Sequence, residues 1–340
     1  MASTIKDIAK EAGVSITTVS LVLNNKECRV SPETREKILE TARNLNYNPN
    51  SSARALVTKK TNTLGLIIPD INNPFFSGLA KAIEAEAQAH NYSIIFCNSD
   101  EKGAKDVSNL SLLVSKQIDG LIISTSLRNS DLEHINQFNR IVYESKIPVV
   151  AIDRQIPFKN YDYVSIDHME GGFLATKHLL ELGHKKIGCI TGPLESTSAQ
   201  ERYNGYLNAL SMFGVKPDPE LVYHGDYQLE AGLKGAEILI NKGVSAIFAC
   251  NDMMACGAYR QARLMGKTIG KDLSIVGYDN ISICEILEQP LTTIAQPISA
   301  VGKNACRLLL ELINEPQHRI QNIKFLPTLI VRNTTSRSEA

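Results

Sequence analysis

No run in this 340-residue chain approaches the ~20 apolar residues a membrane helix needs, and the opening MASTIKDIAKEAG lacks the apolar core of a secretory signal. A membrane span and an export signal are set aside, and a cytoplasmic location is expected. The seven cysteines (Cys28, Cys97, Cys189, Cys250, Cys256, Cys284, Cys306) are scattered and never spaced as CxxC, so neither a disulfide framework nor a zinc site is indicated and buried free thiols are expected. GxGxxG after a strand, GxxxxGK[ST], HExxH and GxSxG are all absent. His90, His134, His168, His178, His184, His224 and His318 form no metal-like cluster and read as surface or hydrogen-bonded structural histidines. No enzyme activity, cofactor or metal is expected.

What is present is ordinary globular composition: 43% hydrophobic, 21% charged, in a length that allows two or three domains. The net charge of zero hides an asymmetry. Residues 1–60 hold ten Lys/Arg against six acids, and the remainder carries the opposite excess. A basic amino-terminal piece on an acidic body is the distribution expected where one end meets a polyanion.

Thr4 is positioned to cap a helix whose Ile5, Ile8, Ala9 and Ala12 recur at helical spacing, and Gly13 ends it. Ser15 caps a second helix with Val19, Val22 and Leu23 inward until Asn24 and Asn25 stop it. Two helices across a tight turn read as a helix-turn-helix, followed by a third with Ser31 at its cap, Pro32 at its first position, and Ile38, Leu39, Ala42 and Leu45 inward. Ile16, Thr17 and Leu21 fall on the outer face of the second helix, where a recognition helix touches base edges; the plainer alternative is a small interaction module. After Tyr47, NPNSSARALVTKKTNTLG is a segment too short to be a stable helix alone. With Arg54, Lys59 and Lys60 beside Leu56 it suits a minor-groove element, phosphates meeting the bases and leucine wedging between base pairs; otherwise it is a basic linker.

From Leu64 onward, apolar runs ending in polar residues alternate with helical stretches: LGLIIPDI, YSIIFCN, DGLIIST, IPVVAID, then HKKIGCITGP, VSAIFACND and DLSIVGYDN. This is the alternation of parallel sheets covered by helices. Two doubly wound lobes are expected, the first about 62–160 and 293–322, the second about 161–290 and 325–340, behind a headpiece over 1–48 and a hinge over 49–61. Gly171–Gly172 reads as a close-packing turn in a strand-to-helix connection. Ligands of open parallel sheets bind beyond the strands' carboxyl ends. Those ends carry Asp70 with Asn72 and Asn73, Asp153 with Arg154, Asn251 with Asp252, and Asp279 with Asn280, and Phe75 and Phe76 offer ring faces. The groups suit a polyhydroxylated neutral ligand between lobes, against the alternatives of helix caps for the polar residues and core packing for the phenylalanines.

TIKDIAKEAGVSITTVSLVLNN and RVSPETREKILETARNLNYNPNSSARAL, with DINNPFFSGL, ITGPLE, GYDN and LTTIAQP, resemble the lactose-repressor family of bacterial transcription factors over essentially the whole chain. Within that family the likeness is to ribose-operon repressors. The resemblance implies a small all-α helix-turn-helix headpiece on a periplasmic-binding-protein-like α/β body, a homodimer on a pseudo-palindromic operator, base reading at Ile16, Thr17 and Leu21, and DNA contacts from Thr4, Arg54 and Leu56. Leu21 stands where other members often have Arg or His. The body is also similar to periplasmic ribose-binding proteins, which implies sugar contacts at Asn73, Phe75, Phe76, Asp153, Arg154, Arg202, Tyr227, Asn251, Asp279 and Gln296. The expected protein is a repressor released by D-ribose or a close pyranose relative. The alternative is a catabolite-control regulator whose DNA binding a phosphorylated carrier protein strengthens.

Overall fold

A computed structural model describes residues 3–23, 27–47, 60–157, 161–315 and 319–338. The chain divides into two compact units, Met1–Thr61 and Asn62–Ala340.

In the first unit, α1 (Ile5–Ala12), α2 (Ile16–Leu23) and α3 (Pro32–Asn44) close on one small core of Ile8, Ala9, Ala12, Val19, Val22, Ile38 and Ala42. The caps are those the sequence announces. Asp7 Oδ2 accepts from the Thr4 amide at 2.8 Å and the Thr4 hydroxyl at 2.7 Å. Ser15 Oγ accepts from the Thr18 amide at 3.1 Å, and Ser31 Oγ from the Thr34 amide at 3.2 Å. Gly13, at φ 74°, turns the chain while its amide and that of Val14 both bond the Ala9 carbonyl. A Cβ there would meet nothing within 4 Å, so the backbone angle alone asks for glycine. Asn24, Asn25, Arg54 and Leu56, with nearly all of the expected hinge, lie outside the described residues.

The second unit holds two six-stranded sheets. The first is ordered β11-β5-β4-β3-β1-β2, from β1 (Thr63–Ile68), β2 (Ser93–Asn98), β3 (Gly120–Ile123), β4 (Val149–Ile152), β5 (Asp162–Ile166) and β11 (Asn322–Phe325), all neighbours parallel. The second is ordered β12-β10-β9-β8-β6-β7, from β6 (Ile187–Thr191), β7 (Val222–His224), β8 (Ala246–Ala249), β9 (Ser274–Asp279), β10 (Thr292–Ala295) and β12 (Thr328–Ile330). Only β12 runs antiparallel to its neighbour. Strands buried on both faces, such as Gly120–Ile123 and Ala246–Ala249, read as unbroken apolar runs because helices cover each side. The covering helices are α4 (Pro74–Ala89), α5 (Gly103–Ser115), α6 (Leu132–Ser145) and α12 (Ile298–Asn314) on the first sheet. On the second they are α7 (His168–Glu181), α8 (Thr197–Met212), α9 (Leu229–Asn241), α10 (Asp252–Leu264) and the single turn α11 (Ile283–Ile286).

The lobe boundaries shift from those expected at 161 and 293. Asp162–Ile166, placed in the second lobe by its polar look, pairs with β4 and β11 in the first sheet; Val164 and Ile166 are buried and Asp162 Oδ1 accepts from the Gln321 amide at 2.9 Å. Thr292–Ala295, expected in the first lobe from residue 293 onward, pairs with β9 in the second sheet, its Thr293 hydroxyl donating to Asp252 at 2.6 Å. The first lobe resumes only at α12, and its sheet extends through Phe325 rather than ending at 322. The chain thus crosses between lobes three times, after β5, after β10 and after β11.

Gly171 and Gly172 sit inside α7 rather than in a turn. A Cβ on Gly172 would fall 2.0 Å from the Arg202 carbonyl oxygen, and one on Gly205 2.1 Å from that of Met169. Glycine on both helices lets α7 and α8 touch backbone to backbone, which sets the height of Arg202 at the cleft.

Candidate functional site

Two surfaces gather the expected residues. On the first unit, Ile16 and Thr17 are exposed at the start of α2 and Leu21 is half-buried one turn on. Thr4 is exposed at the start of α1 with its hydroxyl engaged by Asp7.

In the second unit, a narrow cleft lies at the carboxyl ends of both sheets. Nine of the ten expected sugar contacts line it: Asn73, Phe75, Phe76, Asp153 and Arg154 from the first lobe, and Arg202, Tyr227, Asn251 and Asp279 from the second. Gln296, the tenth, stands behind Asp279 and donates to its Oδ1. Ser198 completes the wall. Residues from several strand ends converge because every parallel strand points its carboxyl end the same way.

Each side chain is held from behind. Arg154 makes a bidentate pair with Glu101 at 2.7 and 2.9 Å, its guanidinium 5.5 Å from the Phe76 ring centre and 5.7 Å from that of Tyr227. Arg202 lies over Tyr278 at 3.9 Å, donates to the Cys250 carbonyl at 2.6 Å and to His168 Nδ1 at 3.3 Å, and stands 3.8 Å from Asp279. Phe75 and Phe76, both 3% exposed, meet edge to face at 5.0 Å; they are core residues whose rings reach the cleft wall, so both readings of them hold in part. The cap reading also holds for two residues. Asn73 Oδ1 accepts from the Phe75 amide, while Asn251 Oδ1 accepts from the Met254 amide and its Nδ2 donates to the Tyr227 carbonyl. Asn251 therefore fixes the Tyr227 loop as well as capping α10.

Three wall residues occupy backbone conformations that side chains rarely adopt: Asp153 at φ 58°, Tyr227 at φ 70° and Asp279 at φ 121°. Such strain costs on the order of 1–3 kcal/mol each and persists where surrounding structure enforces it, as at ligand sites. The two buried carboxylates move in opposite directions. Burial pushes Asp153 up, but His168 and the Arg202 and Arg154 guanidiniums outweigh it and hold the group below the usual carboxylate range. For Asp279, burial dominates, with Arg202 opposing and Asp252 and Asp153 adding to the rise. The cleft thus presents an ionised acceptor, a carboxyl raised toward neutrality and two guanidiniums. Arg154 Nε and Gln296 Oε1 are buried without a hydrogen-bond partner among the described residues, and Asp153 Oδ1, 3.1 Å from His168 Nε2, lacks hydrogen-bond alignment to it. These atoms have hydrogen-bonding capacity that the described residues do not fill.

His168, Tyr278, Glu101 and Ser198 escaped the sequence reading. Ser198 precedes Arg202 by one helical turn, a same-face signal legible in STSAQER. The other three act through partners distant in sequence. Among the described residues no His/Cys/Asp/Glu group fits a metal ion, and no helix is long and apolar enough to cross a membrane.

Residues 4–50 match the bacterial regulatory proteins of the lacI family, and residues 61–332 match the periplasmic binding proteins and sugar binding domain of that family. The chain is similar to the HTH-type transcriptional regulator DegA of Bacillus subtilis (strain 168), 39% identical over 337 residues and covering 99% of each protein. It is similar to the ribose operon repressor of Halalkalibacterium halodurans, 38% identical over 340 residues, covering 99% of this chain and 98% of that one. It also resembles the lac repressor dimer bound to operator and the anti-inducer ONPF, with a TM-score of 0.88 at 28% identity, covering 99% of this chain and 100% of that one. With a three-helix unit bearing an exposed recognition face and a two-lobed unit enclosing a polar cleft, the chain belongs to the lacI family of bacterial regulatory proteins, as a DNA-binding transcriptional repressor with that family's ligand-binding domain.

Proposed function

We propose that D-ribose or a close pyranose relative binds between the lobes and releases this repressor from its operator. The observation that carries the reading is the convergence of Asp153, Arg154, Arg202 and Asp279 on one small cleft walled by Phe76 and Tyr227, with Asp153 Oδ1 and Arg154 Nε left without hydrogen-bond partners. Charged and amide groups take and give hydrogen bonds to several hydroxyls, while ring faces accept the C–H side of a sugar. A purine ring would leave Asp153 Oδ1 or Arg154 Nε buried without a hydrogen-bond partner, at roughly 1–3 kcal/mol or more per group. The names of the relatives do not agree on an effector; the ribose operon repressor at 38% identity is in keeping with the chemistry of the cleft.

A ligand touching both lobes binds their closed arrangement preferentially and shifts the population toward it. In a homodimer joined through these bodies, closure changes the spacing of the first lobes and so of the two hinges. The hinges then no longer meet over the central minor groove of a pseudo-palindromic site, and Ile16, Thr17 and Leu21 lose their register in the flanking major grooves. Differential affinity of a few kcal/mol suffices to reverse the population.

Isothermal titration with D-ribose, hypoxanthine and a phosphorylated carrier protein, with operator affinity measured beside each, tests the reading. Ribose binding that weakens operator affinity is expected. Purine binding without ribose binding refutes the effector, and operator binding tightened by the carrier protein establishes the catabolite-control alternative instead.

A further inference from the structure

His168, the first residue of α7, is fully buried and stands behind the cleft wall, where the chain crosses from β5 into the second lobe. The opening turns of α7 are shaped to Arg202. The His168 ring accepts from Arg202 Nε at Nδ1, 3.3 Å away, and stands 3.2 Å from the Tyr278 hydroxyl. Gly171 leaves the space that this hydroxyl fills, since a Cβ there would fall 2.3 Å from it, and Gly172 meets the Arg202 carbonyl oxygen in the same way. A side-chain acceptor, support for the ring beneath the guanidinium and a backbone contact thus reach one arginine from one helix.

Three contacts define that guanidinium. Nε is bonded to His168, Nη1 to the Cys250 carbonyl at 2.6 Å, and the plane rests on the Tyr278 ring at 3.9 Å. Two held nitrogens and a stacked face fix the direction of a planar fork. Without the acceptor at Nδ1, Nε becomes a buried charged donor with no partner, and Arg202, 4% exposed, has little access to water in exchange. The other ring nitrogen makes no comparable bond: Nε2 faces Asp153 Oδ1 at 3.1 Å without hydrogen-bond alignment. We propose that His168 is a positioning residue for the effector, holding Arg202 through Nδ1 in the orientation the ligand meets while touching no ligand itself. The affinity arm of its test rests on the sugar reading of the cleft.

Isothermal titration of the full chain with D-ribose compares the wild type with His168→Leu, His168→Asn and His168→Gln. Leucine fills space and offers no acceptor, asparagine offers one at the place of Nδ1, and glutamine reaches only toward the place of Nε2. Ribose affinity is expected to fall about tenfold or more in His168→Leu and His168→Gln and to return to within about threefold of the wild type in His168→Asn. Should His168→Leu fail to fold, the other two carry the comparison. Unchanged affinity in His168→Leu, equal losses in all three, or rescue by His168→Gln in place of His168→Asn overturns the proposal, since packing alone moves all three alike and action through Asp153 favours glutamine. If the wild type binds no ribose, the sugar reading fails by itself and a measurement without sugar decides. The Arg202 Nε–H signal in NMR spectra, identified by its loss in Arg202→Ala, is expected to be protected from exchange in the wild type and His168→Asn and unprotected in His168→Leu and His168→Gln. A signal indifferent to the side chain at position 168 overturns the proposal.

Discussion

Arg202 Nε donates to His168 Nδ1 at 3.3 Å, and this fixes the imidazole's tautomer. A nitrogen that accepts carries no proton, so in the neutral ring the proton sits on Nε2, which faces Asp153 Oδ1 at 3.1 Å. One histidine at a lobe crossing therefore accepts from a cation of the second lobe and faces an anion of the first without an aligned hydrogen bond. The same ring stands 3.2 Å from the Tyr278 hydroxyl, beneath the face on which Arg202 rests.

Replacing Arg202 by alanine removes the second lobe's guanidinium from the cleft and leaves the operator-reading unit untouched. The variant is expected to bind operator like the wild type and to ignore ribose. Operator affinity with and without sugar decides it; a variant that still responds normally would show that Arg202 is not an effector contact.

At Gly172 the neighbouring atom is backbone, which cannot step aside as a flexible side chain does. Gly172→Ala forces α7 and α8 apart from a 2.0 Å contact and is expected to destabilise the fold by about 1–3 kcal/mol or more. Urea denaturation of the two proteins measures this, and an unchanged midpoint would contradict the packing argument.

Asp106 is buried, and burial, opposed by hydrogen bonds from Ser99, Thr125 and the Ser126 amide, pushes its carboxyl up to about 6 from 3.8. A group raised on folding adds stability in full below the unfolded value of 3.8, and that contribution is lost as pH climbs through 6. Over this interval the loss is about 3 kcal/mol, an order-of-magnitude figure. Asp106→Asn, which does not titrate, should therefore gain on the wild type by that amount between pH 4 and pH 7. Parallel denaturation curves at the two pH values test it, and a constant difference between the proteins refutes it.

The hinge leucine remains a matter for DNA-binding experiments. Leu56→Ala is expected to weaken specific operator binding strongly while residual salt-sensitive nonspecific binding survives, since phosphate contacts do not depend on the wedge. Footprinting of both proteins across a salt series distinguishes this from unaltered operator affinity, which would remove the wedge role.

Local signals in the sequence announced the local structure well. Thr4, Ser15 and Ser31 cap where their positions said they would, Gly13 turns the chain, and polar strand ends such as Asp153–Arg154 and Asp279 arrive at one cleft. Misreadings occurred where distant partners decide the outcome. Asp162, expected in the second lobe, sits in the first sheet and is satisfied by the Gln321 amide, 159 residues on. Thr293, expected in the first lobe, is buried in the second sheet, where Asp252 accepts from its hydroxyl. Two adjacent glycines argue against a helix by propensity, yet α7 runs through them because the neighbouring helix needs the space. His168 reads in the sequence only as a structural histidine, and its place between Asp153, Arg202 and Tyr278 comes from partners distant in the chain.

The three crossings between lobes bear on how the molecule is made as well as on how it bends. Strand β5 needs β11 as its outer neighbour, and α12 covers the first sheet, yet both follow nearly the whole second lobe in the chain. During synthesis the first lobe therefore waits, with one edge and part of one face uncovered, until residue 325 has left the ribosome. The fragment present before then exposes a parallel sheet edge and apolar surface, so nascent chains stalled in the second lobe should recruit chaperones that chains stalled past 325 do not.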